Sequence, residues 1–164
     1  MGRAEGLDRD IDALFLGSVG SARPERTARL GELRAALDER GIRLHVSDGD
    51  YFGEARARLL NRSKVIVNLR SNSWHPELVR FVLAAMCGTA IVSDLPGTDT
   101  DPFVSGRHFV AVEGDELANA ITELVLDDAR RSVLTLEALQ LVQTELTMAH
   151  VAQEFLGLVN PAGR

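Results

Sequence analysis

Short apolar runs alternate with helical patterns along most of this 164-residue chain, and that alternation limits the possible fold more than any other feature. The apolar runs lie at 12–18, 42–48, 64–70, 89–94 and 108–114, and amphipathic helical patterns separate them at 23–41, 51–63 and 76–88. Strands that alternate with helices pair in parallel, with helices packed on both faces of the sheet. We therefore predict an α/β fold, a doubly wound, Rossmann-like parallel sheet of about five strands with helices on both faces.

The last part of the chain is helical in pattern from 115 to about 159, with breaks expected at Asp127-Asp128 and near Thr147. We find no repeat or dividing linker and predict a single domain over 1–164, with a core at 11–127 and C-terminal helices at 128–159. These helices have more than one apolar stripe, whereas packing on one sheet requires only one. The surplus stripe should therefore either fold back on its own sheet or meet a partner chain, and we favour the partner, as a symmetric homodimer through residues 147–159.

Composition excludes several classes of protein. The net charge of −6 argues against nucleic acid as a partner, because phosphate contacts require a basic face. The single cysteine, Cys87, excludes an internal disulfide and a cysteine-cluster zinc site, and its apolar surroundings predict a core residue. We see no apolar run long enough for an integral membrane segment and no signal-peptide pattern, so we predict a cytoplasmic protein. The arginine-rich composition, in which Lys64 is the only lysine, favours a bacterial, GC-rich source.

Polar residues crowd the junction between the third strand and the following helix, at 70–80. Ligands of doubly wound sheets bind outside the carboxyl ends of the strands, which is where this junction lies. Pro76 suits the first helical position, so Glu77 falls in the first turn and Arg80 one turn later on the same face. In one interpretation Glu77 complements the helix dipole and pairs with Arg80. In the other, Arg80 binds a phosphate, Glu77 accepts hydroxyl hydrogens from a sugar, and His75 adds a donor.

The first strand leads into a second candidate loop, GSVGSARPER at 17–26. Gly17 and Gly20 would let the backbone approach a ligand, and Ser18 and Arg26 are nearby donors. The loop matches neither the Walker pattern nor GxGxxG, so its indication of phosphate binding is weak. An ordinary strand-to-helix turn with solvated arginines is the alternative interpretation.

Three aspartates lie in or beside the loop before the fifth strand, namely Asp94, Asp99 and Asp101. Their spacing matches no calcium-binding loop. We predict that they are turn and cap residues and that they bind no metal.

The order of these motifs resembles the C-terminal, nucleotide-sugar-binding domain of GT-B glycosyltransferases, and especially the bacterial group that includes the CgeB-like spore-maturation proteins. The resemblance is carried by DALFLGSVGSARPER at 12–26, by the stretch 63–94 and by DPFVSGRHFVAVEGDELANAI at 101–121. Such domains typically have a glycine-ended first strand, an asparagine in the third strand and a Glu/Arg-containing helix that ends at a glycine. The resemblance implies transfer of a glycosyl group from a nucleoside-diphosphate sugar to an acceptor.

The residues that would bind the nucleotide sugar are Gly17, Ser18, Gly20, Arg26, Asn68, Arg70, His75, Glu77 and Arg80. Arg26 and Arg80 are the best candidates for the diphosphate. Glu77 is the best candidate for the sugar or ribose, with Asn68 and His75 in support. We expect no metal and no other cofactor, because backbone N–H groups, a helix N-terminus and arginines can stabilise a leaving diphosphate.

The chain departs from the family pattern in two places. Many such enzymes have a second glutamate on the central helix five residues before its terminal glycine, where this chain has Leu83. A GT-B enzyme also has an N-terminal Rossmann domain that supplies the acceptor site, and only the donor half is recognisable here. We expect this half alone to be inactive, and interpretations as an excised piece, a fragment or a stand-alone relative stay open. The alternative function is a non-catalytic nucleotide-binding or scaffold module with the same fold.

Overall fold

The computed structural model describes residues 8–21, 23–48, 52–69, 78–94, 100–114 and 116–147. Within these ranges strands and helices follow one another in the order β1 (Ile11–Leu16), α1 (Pro24–Asp38), β2 (Leu44–Ser47), α2 (Gly53–Arg62), β3 (Ser63–Asn68), α3 (Leu78–Met86), β4 (Ala90–Ser93), β5 (Val110–Ala111), α4 (Glu116–Leu126) and α5 (Asp128–Thr144). The predicted α/β class and the five strands are confirmed.

The five strands form one sheet in the order β2-β1-β3-β4-β5, and every described pairing is parallel. The chain moves from β1 outward to β2, then returns past β1 to β3 and continues in the opposite direction. The order of winding therefore reverses between β1 and β3. In a sheet of this kind the crevice at the carboxyl ends of those two strands is where ligands bind.

Helices cover both faces of the sheet, as predicted. Successive strand residues point to opposite faces, so Phe15 packs with Leu30 and Leu33 of α1, whereas Leu14 packs on the other side with Phe81. Helix α4 joins α1 on the first face, and α2, α3 and α5 contribute to the cluster on the second. Among the described residues, no helix is long and apolar enough to cross a membrane.

Several elements are shorter than predicted, and for two of them the local cause is clear. Helix α1 ends at Asp38 because Gly41, with a φ of +71°, reverses the chain, and the Ile42 N–H then donates to the Leu37 carbonyl. Strand β5 has two residues instead of the predicted 108–114 because Phe109 pairs with Ser105 of its own loop.

The predicted break at Asp127-Asp128 is confirmed. The Asp127 side chain accepts a hydrogen bond from the Arg130 N–H at 2.9 Å and so caps the start of α5. Helix α4 follows the carboxyl end of β5 and runs back along the sheet. Helix α5 therefore starts at the amino edge of the sheet and returns beside α3 and β4. It ends at Thr144, close to the second predicted break.

Cys87 is a core residue, as predicted. It is fully buried in the cluster around Phe81, and burial raises the pKa of its thiol. A buried thiol with a raised pKa is a poor nucleophile.

Candidate functional site

Four of the predicted site residues meet at the carboxyl edge of the sheet, at the crevice between β1 and β3. Gly17 directly follows β1, Asn68 ends β3, and Arg26 and Arg80 lie on α1 and α3. Because α1 and α3 cover opposite faces, the two arginines approach the crevice from opposite sides. Arg70, His75 and Glu77 lie outside the described residues, so their roles, including the Glu77–Arg80 pair, stay predictions.

Arg80 spans the crevice from β3 to β1. Its Nη1 donates to the Asn68 Oδ1 at 3.4 Å. On the other strand, a Cβ added at Gly17 would lie only 3.2 Å from the Arg80 Nη2 and 3.2 Å from the Phe15 ring. Glycine at 17 therefore leaves room for the Arg80 guanidinium directly above the end of β1.

Arg26 is buried without a full set of hydrogen bonds. The residue is 8% exposed, and its Nη1 donates to the Ser18 carbonyl at 3.4 Å. Its Nε and Nη2 are buried and have no hydrogen-bond partner in the described part of the chain. Native proteins pair nearly all such groups, so these two donors point to an absent acceptor.

Both guanidinium groups lie near the ring of Phe15. The distance from the ring centroid to the guanidinium carbon is 5.9 Å for Arg26 and 5.9 Å for Arg80. Each guanidinium is thus within the range of a cation–π contact with the same ring. Two positive charges that converge in a partly desolvated crevice favour an anionic ligand.

Asn68 positions Arg80. Its amide nitrogen donates to the Ser93 Oγ of β4 at 3.0 Å, and its amide oxygen accepts from Arg80. Both ends of the side chain thus have protein partners. The geometry favours a role in orienting the arginine over the direct contact with a sugar that the sequence suggested.

The loop after β1 uses part of its hydrogen-bonding capacity internally. The Gly20 N–H donates to the Thr27 Oγ1 at 2.8 Å, and the Val19 N–H donates to the Asp48 Oδ1 at 3.2 Å. Ser18 is exposed beside this loop and accepts from Arg26 through its carbonyl. Gly20 therefore shapes the loop, and the Ser18 side chain stays a candidate donor.

Sequence reasoning missed an ion pair beside the site, which is formed by Asp94, whereas the turn or cap role predicted for this residue stays a prediction. Asp94 is buried at the carboxyl end of β4, where its Oδ2 lies 2.8 Å from the Arg29 Nη2. The signal was present in the spacing of Arg26 and Arg29, which places both on one side of α1. Asp101 does lie in a turn, whereas Asp99 is outside the described residues.

Ser47 is a second residue that the sequence did not indicate. Its Oγ is buried at the end of β2 without a hydrogen-bond partner among the described residues. Its carbonyl accepts from the Gly17 N–H at 3.2 Å, which places it next to the crevice.

The amino edge of the sheet, opposite the crevice, has a depression whose carboxylates are already paired. An open depression of about 320 Å³ lies there, lined by Asp10, Ile11, Asp12, Arg43, Leu44 and His45. Its two carboxylates already pair with Arg62 and Lys64. Among the described residues, no group of three or more His, Cys, Asp or Glu side chains could hold a metal ion.

The model of the family described as "Glycosyl transferase-like" matches residues 25–157, which is most of the chain. No curated protein sequence matches significantly.

Solved structures of glycosyltransferases share the fold. A mutant of TarM from S. aureus, solved with fondaparinux, alpha-GlcNAc-glycerol and UDP, aligns with a TM-score of 0.70 and 12% identity over 98% of this chain and 37% of that one. The C-terminal domain of LpcC, a glycosyl transferase group 1 family protein from Francisella tularensis, aligns with a TM-score of 0.61 and 12% identity, over 90% of this chain and 96% of that one.

A third similar structure is the pneumococcal O-GlcNAc transferase GtfA in complex with UDP and GlcNAc. It aligns with a TM-score of 0.64 and 10% identity over 94% of this chain and 36% of that one. The chain thus spans little more than a third of TarM or GtfA, but nearly all of the LpcC C-terminal domain.

Proposed function

The chain belongs to the glycosyl transferase-like family, and from that premise we propose that it is the donor-binding domain of a glycosyltransferase. The domain binds a nucleoside-diphosphate sugar in the crevice between β1 and β3. The reaction transfers the glycosyl group to an acceptor and releases the nucleoside diphosphate.

The observation that carries this proposal is the buried Arg26 guanidinium, two of whose nitrogens have no hydrogen-bond partner among the described residues. A buried cation without acceptors destabilises a fold, so a bound anion is the expected partner. A diphosphate has enough oxygens to accept from Arg26 and from Arg80, which enters the crevice from the opposite face.

These two arginines also suit the chemistry of the leaving group. Negative charge builds up on the diphosphate as the bond to the sugar breaks, and fixed cations in a desolvated crevice stabilise that charge. Gly17 keeps the Arg80 guanidinium close to the backbone of β1, and Asn68 holds it from the other strand. The proposal requires no metal or other cofactor for this step.

The direct test is titration calorimetry with UDP, which is bound in the TarM and GtfA structures, and with GDP and the sugar esters of both. We expect dissociation constants between micromolar and millimolar, or about 4 to 8 kcal/mol of binding free energy. No heat and no thermal shift with any of these ligands would contradict the proposal.

Replacing Arg80 tests the site itself. We expect Arg80→Ala to weaken binding by about 1.5 to 3 kcal/mol, because it removes a charge-assisted contact, while folding is affected less. Arg58→Ala is the matched control, since Arg58 is an exposed helix arginine that pairs with Glu54. Equal affinity in wild type and Arg80→Ala would remove Arg80 from the site.

A non-catalytic nucleotide-binding or scaffold module is the second candidate function. Leu83 favours it, because this side chain packs against the apolar cluster around Phe81 and offers no acceptor for ribose hydroxyls. Binding without transfer in the full-length protein would favour this alternative.

Partners and location belong to the same proposal. The share of TarM and GtfA that the chain spans supports an additional Rossmann-like domain that supplies the acceptor site. The homodimer through residues 147–159 and the cytoplasmic location stay predictions from the sequence, as does the absence of a nucleic-acid partner.

A further inference from the structure

A buried carboxylate ties α1 to the far side of the crevice. The Arg29 Nη2 lies 2.8 Å from the Asp94 Oδ2, and the side chains are 45% and 3% exposed. Asp94 follows β4, and its N–H donates to the Asn68 carbonyl of β3 at 3.1 Å. The ion pair thus runs from α1 across the end of β3 to the end of β4.

The first turns of α1 have few other attachments to the sheet. Arg23, at the N-cap, makes no side-chain capping hydrogen bond, and the apolar anchors of the helix begin only at Leu30. From Pro24 to Arg29 the only buried residue is Arg26. Within the described part of the chain, the Thr27 hydroxyl bonds to the adjacent loop, at Gly20 and Arg23. The Arg29–Asp94 pair is therefore the charged contact best placed to hold this end of α1.

We propose that Asp94 and Arg29 are positioning residues, which hold the start of α1 against the sheet and so keep Arg26 directed into the crevice. Arg29 lies one turn after Arg26 on the same side of the helix, so a shift at one is passed to the other. Asp94 also neutralises Arg29, which leaves the charges of Arg26 and Arg80 for a ligand. This inference rests on the proposed function, because the effect appears in diphosphate binding.

The test compares two carboxylates that each pair with a cation at 2.8 Å. Asp94 pairs with Arg29 at the carboxyl edge, whereas Asp12 pairs with Lys64 at the amino edge. We expect Asp94→Asn to weaken UDP binding about tenfold in calorimetry, since couplings in such networks commonly reach this size. Asp12→Asn, the matched control, should bind UDP as wild type does, even if it unfolds at a lower temperature.

A double-variant cycle separates positioning from general destabilisation. If Asp94 acts through Arg26, Asp94→Asn should weaken binding much less in an Arg26→Gln background than in wild type. Arg29→Lys keeps the charge and should bind UDP more tightly than Arg29→Ala. Additive losses in the cycle, or equal affinities of the two Arg29 variants, would overturn the inference.

Amide hydrogen exchange without ligand gives a readout that does not depend on the proposed function. Backbone amides at 25–30 should exchange faster in Asp94→Asn than in wild type, and Asp12→Asn should leave them unchanged. If wild type binds no diphosphate, the proposed function fails, and exchange still decides whether Asp94 anchors α1. If wild type binds and Asp94→Asn binds equally well, or exchange at 25–30 does not change, the positioning role is wrong.

Discussion

At the scale of single residues, the Arg26 side chain lowers the stability of the fold, although the proposed function depends on it. Its guanidinium is removed from water, yet two of its nitrogens have no partner among the described residues. One long hydrogen bond to the Ser18 carbonyl and the ring of Phe15 compensate only in part. Arg26 is therefore a buried cation whose hydrogen bonding, as far as the described residues show it, an anion would complete.

Replacing this cation with an apolar side chain of similar length should raise the stability of the fold and weaken ligand binding. We expect Arg26→Met to raise the free energy of unfolding by about 1 to 2 kcal/mol, because buried unpaired polar groups are removed. The same variant should lose at least about tenfold in UDP affinity, since a charge-assisted phosphate contact is gone. Urea denaturation and calorimetry measure the two effects. A variant that is less stable than wild type and still binds UDP normally would contradict both expectations.

His108 links stability to pH. It is buried before β5, and its Nδ1 accepts a hydrogen bond from the Val104 N–H at 2.9 Å, an arrangement that requires the neutral ring. Burial, then the charge of Arg107, lowers the pKa of His108 below 6.5, and the opposing effects of Glu137 and Glu145 are smaller. The unfolded chain therefore binds a proton at higher pH than the folded one.

We accordingly expect His108 to destabilise the fold in acid. Its contribution should be constant above the unfolded pKa of 6.5 and should fall as the pH drops from there to the lower folded pKa. Urea denaturation at about pH 7.5 and about pH 5.5 should show a larger loss of stability for wild type than for His108→Gln. Equal losses would show that His108 does not titrate with folding.

At the scale of secondary-structure elements, Arg9 joins four of them at the amino edge of the sheet. Its Nη1 donates to the carbonyls of Leu60, at 3.3 Å, and Ser63, and its Nη2 donates to the Cys87 carbonyl at 2.9 Å. These carbonyls lie at the ends of α2 and α3 and at the start of β3, and the Thr89 hydroxyl before β4 is 3.5 Å away. A cation near the C-termini of two helices interacts favourably with the helix dipoles and with the carbonyls there.

Loss of this side chain should affect stability and leave the binding site intact. We expect Arg9→Ala to lower the free energy of unfolding by about 2 to 3 kcal/mol, because carbonyls at the ends of two helices lose a charged partner. UDP affinity should be unchanged, since the crevice lies at the opposite edge. Arg43→Ala is the control, because Arg43 is exposed at the same edge. A fall in affinity with Arg9→Ala would show that the two edges are coupled.

At the scale of the whole molecule, the sheet order brings α1 and α3 to one crevice from opposite faces, and α5 packs through a single buried stripe whose residues belong to both core clusters. Leu134, Ala138, Leu141 and Val142 form that stripe, whereas Val133 and Leu136 are 61% and 62% exposed. Leu126, at the end of α4, is 75% exposed. The surplus of apolar residues expected from the sequence is thus partly visible on α5.

The predicted homodimer is tested in solution, because most of residues 147–159 lie outside the described ranges. We expect sedimentation velocity at several concentrations to show a monomer–dimer equilibrium, since soluble monomers rarely expose large apolar patches. Phe155→Glu, within that stretch, should shift the equilibrium to monomer. Phe52→Glu, which replaces an exposed phenylalanine elsewhere, should not. A monomer at every concentration would contradict the prediction.

The local pattern of the sequence was enough to predict the α/β class and the parallel strands, because strand and helix periodicity are properties of neighbouring residues. It also placed Gly17, Arg26 and Arg80 near strand ends, since each follows a strand along the chain. Tertiary structure alone decided that β1 lies beside β3, that Arg26 is buried above Phe15, and that Asp94 reaches Arg29. These contacts join residues far apart in sequence. They depend on which strand ends lie side by side, and local periodicity does not encode the order of strands in a sheet.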